Sequence, residues 1–173
     1  MKMNTAISVR VRRATARDVG AIFRLTNDMA REGLMLPRSK YKIITTLANF
    51  MVAELTDAGV GNSHAHSEDT ENGVVGCGAF SMLWTDMGEI MSLAVDNSYR
   101  YRGVGSLLVK ALIEEGRRMR VDEIITLTYQ IDFFKNLGFS VADKDEFPRK
   151  LWRECLECPK LEQCDETAMH LRL

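Results

Sequence analysis

Residues 89–116 read EIMSLAVDNSYRYRGVGSLLVKALIEEG, and this stretch decides the fold. An apolar strand, Ile90 to Val95, runs into a polar turn at Asp96 to Tyr99. An arginine- and glycine-rich loop follows, Arg100 to Gly105. Then a helical period sets in. Val104, Leu107, Leu108, Ala111 and Leu112 recur at i, i+3, i+4, i+7 and i+8, with Ser106, Lys110, Glu114 and Arg117 opposite. Strand, glycine loop and helix N-terminus together make an anion site. The glycines let backbone approach a phosphate, and the first-turn N–H groups have no intrahelical partner.

The spacing narrows the kind of phosphate site. A dinucleotide fold wants a third glycine where Leu108 stands, and a P-loop wants Gly-Lys-Ser/Thr, which the chain lacks. What remains is Arg100-x-x-Gly103-x-Gly105 between a strand and a helix. This pattern resembles the acyl-CoA pyrophosphate loop of the GNAT acetyltransferase superfamily. The resemblance implies that loop amides of Arg100, Tyr101, Arg102, Gly103, Val104, Gly105 and Ser106 hold the pyrophosphate of acetyl-CoA. It also implies that Leu93, Ala94 and Val95 carry the pantetheine arm. On the residues alone, a glycine turn with solvated Arg100 and Arg102 stays open.

The 173 residues suffice for one domain, 1–173, with a full core. A net charge of −1 gives no reason to expect a nucleic-acid partner. No apolar run approaches the ~20 residues of a membrane span. The opening MKMNTAISVRVRRAT has no apolar h-region, so a cytoplasmic protein is expected. Four cysteines there mean free thiols or a metal rather than disulfides.

In chain order, Ile7, Val9 and Val11 alternate as a first strand to about Arg13. Thr15 with Asp18 makes a capping-box start for a helix that buries Ile22, Leu25 and Met29 with Phe23 and ends near Gly33. Ser39 is the N-cap of a second short helix. Asn49 to Leu55 reads as a strand. Residues 56–72 read as an exposed hairpin loop in which His64 and His66 are solvated rather than metal ligands. Strands follow at Gly73 to Trp84 and Glu89 to Val95, then the long helix, then a strand from Glu123 to Thr128. Asp132 to Asn136 is a short helix, Leu137-Gly138-Phe139 a turn, and Ser140 to Ala142 and Ala168 to Leu173 the last strands. The fold class is α/β (α+β): a mixed sheet of about seven strands with flanking helices. This is the element order of the GNAT fold, in which the resemblance implies a fourth and fifth strand splayed around acyl-CoA.

Further segments resemble the short, stand-alone N-acetylglutamate synthases of bacterial arginine biosynthesis. They are Leu34-x-x-x-Arg38-Ser39, Leu127-Thr128-Tyr129, Phe134-x-x-Leu137-Gly138-Phe139, Asp143-Lys144, Pro148-x-Lys150-x-Trp152, Cys155-x-x-Cys158-Pro159 and Cys164-Asp165-Glu166. The implied reaction is acetyl transfer from acetyl-CoA to the α-amine of L-glutamate. The longer synthases add an arginine-binding domain, for which this chain is too short.

The α-amine is mostly protonated at neutral pH and must lose a proton before attack, so a general base is wanted. Glu89 stands where glutamate-base enzymes of the superfamily place theirs. A backbone N–H in Leu93–Val95 can stabilise the oxyanion. Many GNAT enzymes carry a tyrosine acid where Phe134 stands here. The resemblance instead offers Thr128, with Tyr129 beside it, for the leaving thiolate, and strand-end packing stays open for both. Two carboxylates call for two cations. Arg38, in its Arg-Ser pair with Ser39, is the first choice and Lys150 the second, with Arg153 or Arg24 as substitutes. Cys155, Cys158 and Cys164 lack an obvious fourth ligand, which favours free thiols over zinc. A GNAT enzyme with another amine acceptor, a non-catalytic acyl-CoA sensor and a homodimer stay open.

Overall fold

The computed structural model describes residues 7–56, 71–147, 156, 158 and 160–173. Most of the 56–72 loop, Lys150, Arg153 and Cys155 lie outside the described residues. Among those described, the elements are β1 (Val9–Arg13), α1 (Val19–Arg31), α2 (Lys40–Thr45), β2 (Phe50–Leu55), β3 (Val74–Met82) and β4 (Met87–Val95). They continue with α3 (Val104–Met119), β5 (Glu123–Thr128), α4 (Ile131–Lys135), β6 (Ser140–Val141) and β7 (Thr167–Arg172). The order is the one expected from the sequence. The strands form a seven-stranded sheet in the order β1-β2-β3-β4-β5-β7-β6. It is mixed: β4 and β5 are parallel, and the β1/β2, β2/β3, β5/β7 and β6/β7 pairs are antiparallel.

The chain divides into two compact units, Met1–Ala79 with Ser92–Ala111, and Phe80–Met91 with Leu112–Leu173. In the first unit, Thr15 and Asp18 form the expected capping box. Asp18 accepts from the Thr15 amide at 2.7 Å and from its hydroxyl at 2.9 Å, although a 3-10 turn, Ala16–Asp18, precedes α1. α1 buries Ile22 and Leu25 as expected, while Phe23 and Met29 are half-buried. It closes with Gly33 at φ +74 and with the amides of Gly33 and Leu34 on the carbonyls of Ala30 and Met29. Ser39 caps α2 by accepting from the Lys42 amide at 3.1 Å. The core here joins Ala53, Val75, Val104 and Leu108.

Gly76 sits in β3 under the first turns of α3. A Cβ there would stand 3.0 Å from Leu108 Cδ1, 3.2 Å from Val104 Cγ1 and 3.3 Å from the Ala94 carbonyl. The missing side chain is therefore what lets the start of α3 lie close on β3.

In the second unit, Ile125 and Phe147 pack with Leu83, Met87, Leu127 and Ala142. Phe134 is buried, edge-to-face on Phe139 with centroids 5.2 Å apart. The buried face of α3 differs from the expected one. Leu107 is 44 % exposed and Ala111 half-buried, whereas Val109 and Ile113 are buried. Rotating the helix this way hides two β-branched side chains at the cost of one leucine and an alanine, and so removes more apolar surface from water.

Candidate active site

The first unit carries the strand, glycine loop and helix start at which acyl-CoA binding is expected. Asp96 ends β4, with its amide on the Val75 carbonyl at 2.9 Å and its Oδ1 accepting from the Ser98 amide at 3.0 Å. This starts a 3-10 turn, Asn97–Tyr99. The chain then passes through two left-handed residues, Tyr101 at φ +61 and Gly103 at φ +85. Alternation of this kind turns backbone N–H groups to one side, the concave arrangement that receives anions. Gly103 accepts from the Leu107 amide at 3.0 Å, the first bond of α3. The amides of Val104, Gly105 and Ser106 precede that bond and carry the positive end of a 16-residue helix. Val104 is also buried in the core, so the helix start is anchored where its amides are offered. Tyr101, Arg102 and Gly103 are exposed.

The Arg100 side chain is not turned outward. Nη1 and Nη2 donate to Glu32 Oε2 and Oε1 at 2.8 and 3.0 Å, and Nε donates to the Val95 carbonyl at 3.1 Å. Arg100 thus ties the loop both to the strand before it and to the C-terminus of α1. The paired guanidinium holds the Glu32 carboxyl below its usual range. No local sequence signal marks Glu32 as a partner of this loop.

Upstream of the loop, Ala94 is buried, and Leu93 and Val95 are half-buried. Ser92 departs from strand geometry at φ +54, a left-handed conformation uncommon for serine. Its carbonyl lies 3.8 Å from the Cys77 sulfur. Burial pushes the Cys77 thiol up to about 12, a rise that the nearby charges of Arg38 and Arg24 only moderate. A thiol so held is protonated at neutral pH and is no nucleophile. Arg38 is 7 % exposed, and its carbonyl accepts from Asn27 Nδ2 at 2.9 Å. Ser39 is exposed and spent on capping α2.

The second unit carries Glu89, Thr128 and Tyr129, the residues from which proton transfer is expected. Glu89 is half-buried on β4, in register with Ile125 of β5. Thr128, at the end of β5, is buried and accepts from the Gln130 amide at 2.8 Å, which leaves its own hydroxyl proton to donate. Tyr129 donates to Asp165 Oδ1 at 2.6 Å. That bond pushes its phenol well up and holds Asp165 down. Glu166 follows, its carboxyl raised by burial. Because Thr128 is in register with Thr167, the end of β5 and the start of β7 bring Thr128, Tyr129, Asp165 and Glu166 to one place. Cys158 and Cys164 are free, and among the described residues no group of three His, Cys, Asp or Glu could hold a metal. No helix of the described residues is long and apolar enough to cross a membrane.

A mixed sheet with a central parallel pair, and a glycine-opened helix after the inner strand, define the class as an α/β acyltransferase fold. The chain belongs to the Acetyltransferase (GNAT) family, whose model matches residues 38–139. It is an N-acetyltransferase with acetyl-CoA as the acetyl donor. It is 39% identical over 163 residues to an uncharacterized N-acetyltransferase of Chlorobaculum tepidum, covering 92% of this chain and 93% of the relative. It is 32% identical over 130 residues to an amino-acid acetyltransferase of Mycobacterium tuberculosis, covering 75% of this chain and 67% of the relative. Among solved structures it resembles a Mycobacterium tuberculosis protein in complex with CoA and a second ligand. The TM-score is 0.73 and the identity 25%, over 95% of this chain and 99% of that one.

Proposed function

We propose that the protein transfers the acetyl group of acetyl-CoA to the α-amine of L-glutamate by direct attack in a ternary complex. The observation that carries the acceptor is Arg38, an arginine 7 % exposed in the unit that holds the glycine loop. An arginine fork matches a carboxylate with two parallel hydrogen bonds, and Arg38 stands in the Arg-Ser pair that resembles the synthases. The named Mycobacterium tuberculosis relative, an amino-acid acetyltransferase, supports an acceptor of that class.

In this reading the amides from Arg100 to Ser106 hold the pyrophosphate, and Leu93–Val95 hold the pantetheine arm. Glu89 takes a proton from the glutamate ammonium, directly or through water. The freed amine attacks the thioester carbon, a backbone N–H of Leu93–Val95 stabilises the oxyanion, and the C–S bond breaks. Of the two hydroxyls, Thr128 has the proton to give the departing thiolate, because the Tyr129 proton is held by Asp165. Arg38 and Lys150 take the two carboxylates. Arginine biosynthesis in the cytoplasm is the setting that this chemistry fits.

Thiol release from acetyl-CoA with L-glutamate tests the reading, run on the wild type and Glu89→Gln. The expected result is turnover that falls by about 10²–10⁴ in the variant at unchanged acetyl-CoA affinity, the usual scale of a general base. No turnover by the wild type, with acetyl-CoA still bound, would point to a sensor instead.

A further inference from the structure

The guanidinium of Arg24, on α1, has one occupied corner and one empty edge. Nη1 donates to Asp96 Oδ2 at 2.9 Å and lies 3.8 Å from Asp28 Oδ2. Nε and Nη2 are both buried, and neither has a hydrogen-bond partner among the described residues. These two nitrogens share one edge of the planar group. Their N–H bonds run parallel, at the separation of the two oxygens of a carboxylate. Buried charged donors are normally satisfied, so an empty fork of this kind asks for an acceptor that arrives from outside.

Its surroundings say which acceptor. Asn27 follows Arg24 by three residues on the same face of α1, and its Nδ2 donates to the Arg38 carbonyl at 2.9 Å. The backbone of Arg38 is therefore held against α1, at the residue one turn along from Arg24. Both guanidiniums also act on the buried Cys77 thiol, whose sulfur is 3.8 Å from the Ser92 carbonyl. Ser92 Oγ is a second buried polar atom with no partner among the described residues. Arg24, Arg38 and the unspent Ser92 hydroxyl thus all belong to the first unit, with Ser92 directly before Leu93–Val95 in the chain.

We infer that the Nε–Nη2 edge of Arg24 grips one carboxylate of the acceptor, and that together with Arg38 it selects an amino acid carrying two carboxylates. The inference rests on the acceptor reading above and refines it: the second grip falls to Arg24 rather than Lys150. Asp96 fixes Nη1, so the fork is oriented before the acceptor binds. Asp96 also begins the turn into the acyl-CoA loop.

Arg24→Lys tests this, because lysine keeps a cation near Asp96 but cannot present two parallel N–H groups. Steady-state constants are measured for L-glutamate, L-glutamine, isoglutamine and acetyl-CoA. The expected result is a glutamate KM raised on the order of tenfold, the scale of one lost hydrogen bond to a charged group. The acetyl-CoA KM stays within about twofold, and the preference for glutamate over one of the two monoamides collapses. An unchanged glutamate KM and preference would overturn the role of Arg24 and leave the glutamate reading standing. A raised acetyl-CoA KM in place of a raised glutamate KM would make Arg24 a strut of the loop, and also overturns the inference. Wild-type activity only with amines that lack a carboxylate would overturn both. Should the variant fail to fold, the wild-type protein crystallised with glutarate decides. Carboxylate oxygens within hydrogen-bond distance of Nε and Nη2 are expected, and a glutarate seated elsewhere contradicts them.

Discussion

Arg100 and Glu32, 68 residues apart, form a two-pronged ion pair of 2.8 and 3.0 Å that joins the glycine loop before α3 to the end of α1. The loop is thereby held from two directions, since Arg100 Nε also reaches the Val95 carbonyl. In the proposed reading the arginine shapes the backbone of the loop, and the loop amides are left to meet the phosphates. Glu32→Gln is expected to raise the acetyl-CoA KM roughly two- to fivefold, the worth of a half-exposed ion pair, with little change in the acceptor KM. The pair should survive acidification well. The folded pKa of Glu32 lies below its ordinary 4.5, so the contribution is fully present above that value. It is lost only as pH falls through the depressed folded value. A loss of acetyl-CoA affinity between pH 7 and pH 5 that Glu32→Gln abolishes would contradict this.

Gly76 is where strand and helix meet most closely, and a side chain there is felt by the loop. Gly76→Val should destabilise the protein by about 1–3 kcal/mol through overpacking against Val104, Leu108 and the Ala94 carbonyl. It should also weaken acetyl-CoA binding by displacing the start of α3. Gly76→Ala should cost less, because Leu108 need move only a few tenths of an ångström. Thermal melts with and without CoA separate the two effects. Equal melting temperatures for the valine variant and the wild type would remove the packing explanation.

Ser92 holds a left-handed backbone without the freedom of glycine. Left-handed backbone costs a non-glycine residue of order 1–3 kcal/mol, and is most unfavourable for β-branched residues. Ser92→Gly should therefore melt at or above the wild-type temperature, and Ser92→Val well below it. The opposite order would show that the hydroxyl, not the backbone, matters most for stability.

Cys77 lies beside Ser92, with its sulfur 3.8 Å from the Ser92 carbonyl, and burial keeps it protonated. An acetyl-cysteine intermediate at this position is thus disfavoured. Initial-rate plots against both substrates should intersect, as for a ternary complex, and iodoacetamide at pH 7 should leave Cys77 unmodified by mass spectrometry. Parallel lines, or an acetylated Cys77 peptide, would refute it.

Much of the fold was legible because its signals are local. The run EIITLT is apolar and β-branched between polar neighbours, and β5 occupies the same residues that the pattern predicts, Glu123–Thr128. The Thr15/Asp18 box and the Gly33 stop bracket α1 for the same reason. The face of α3 was less legible, because periodicity cannot say which of two overlapping apolar arcs meets the sheet. Side-chain commitments across long separations were not legible at all. Nothing near Glu32 announces Arg100, nothing near Tyr129 announces Asp165, and only packing shows that half of the Arg24 guanidinium is without a partner. The left-handed turn at Ser92 carries no glycine to advertise it.

The most direct test is a competition. Purified protein is given acetyl-CoA and an equimolar mixture of the common amino acids with a polyamine, and the acetylated products are identified by mass spectrometry at low conversion. N-acetylglutamate as the dominant product is the expected result. A dominant product from an amine without a side-chain carboxylate, with glutamate left unmodified, would contradict the assignment of Arg38 and Arg24 to a dicarboxylic acceptor.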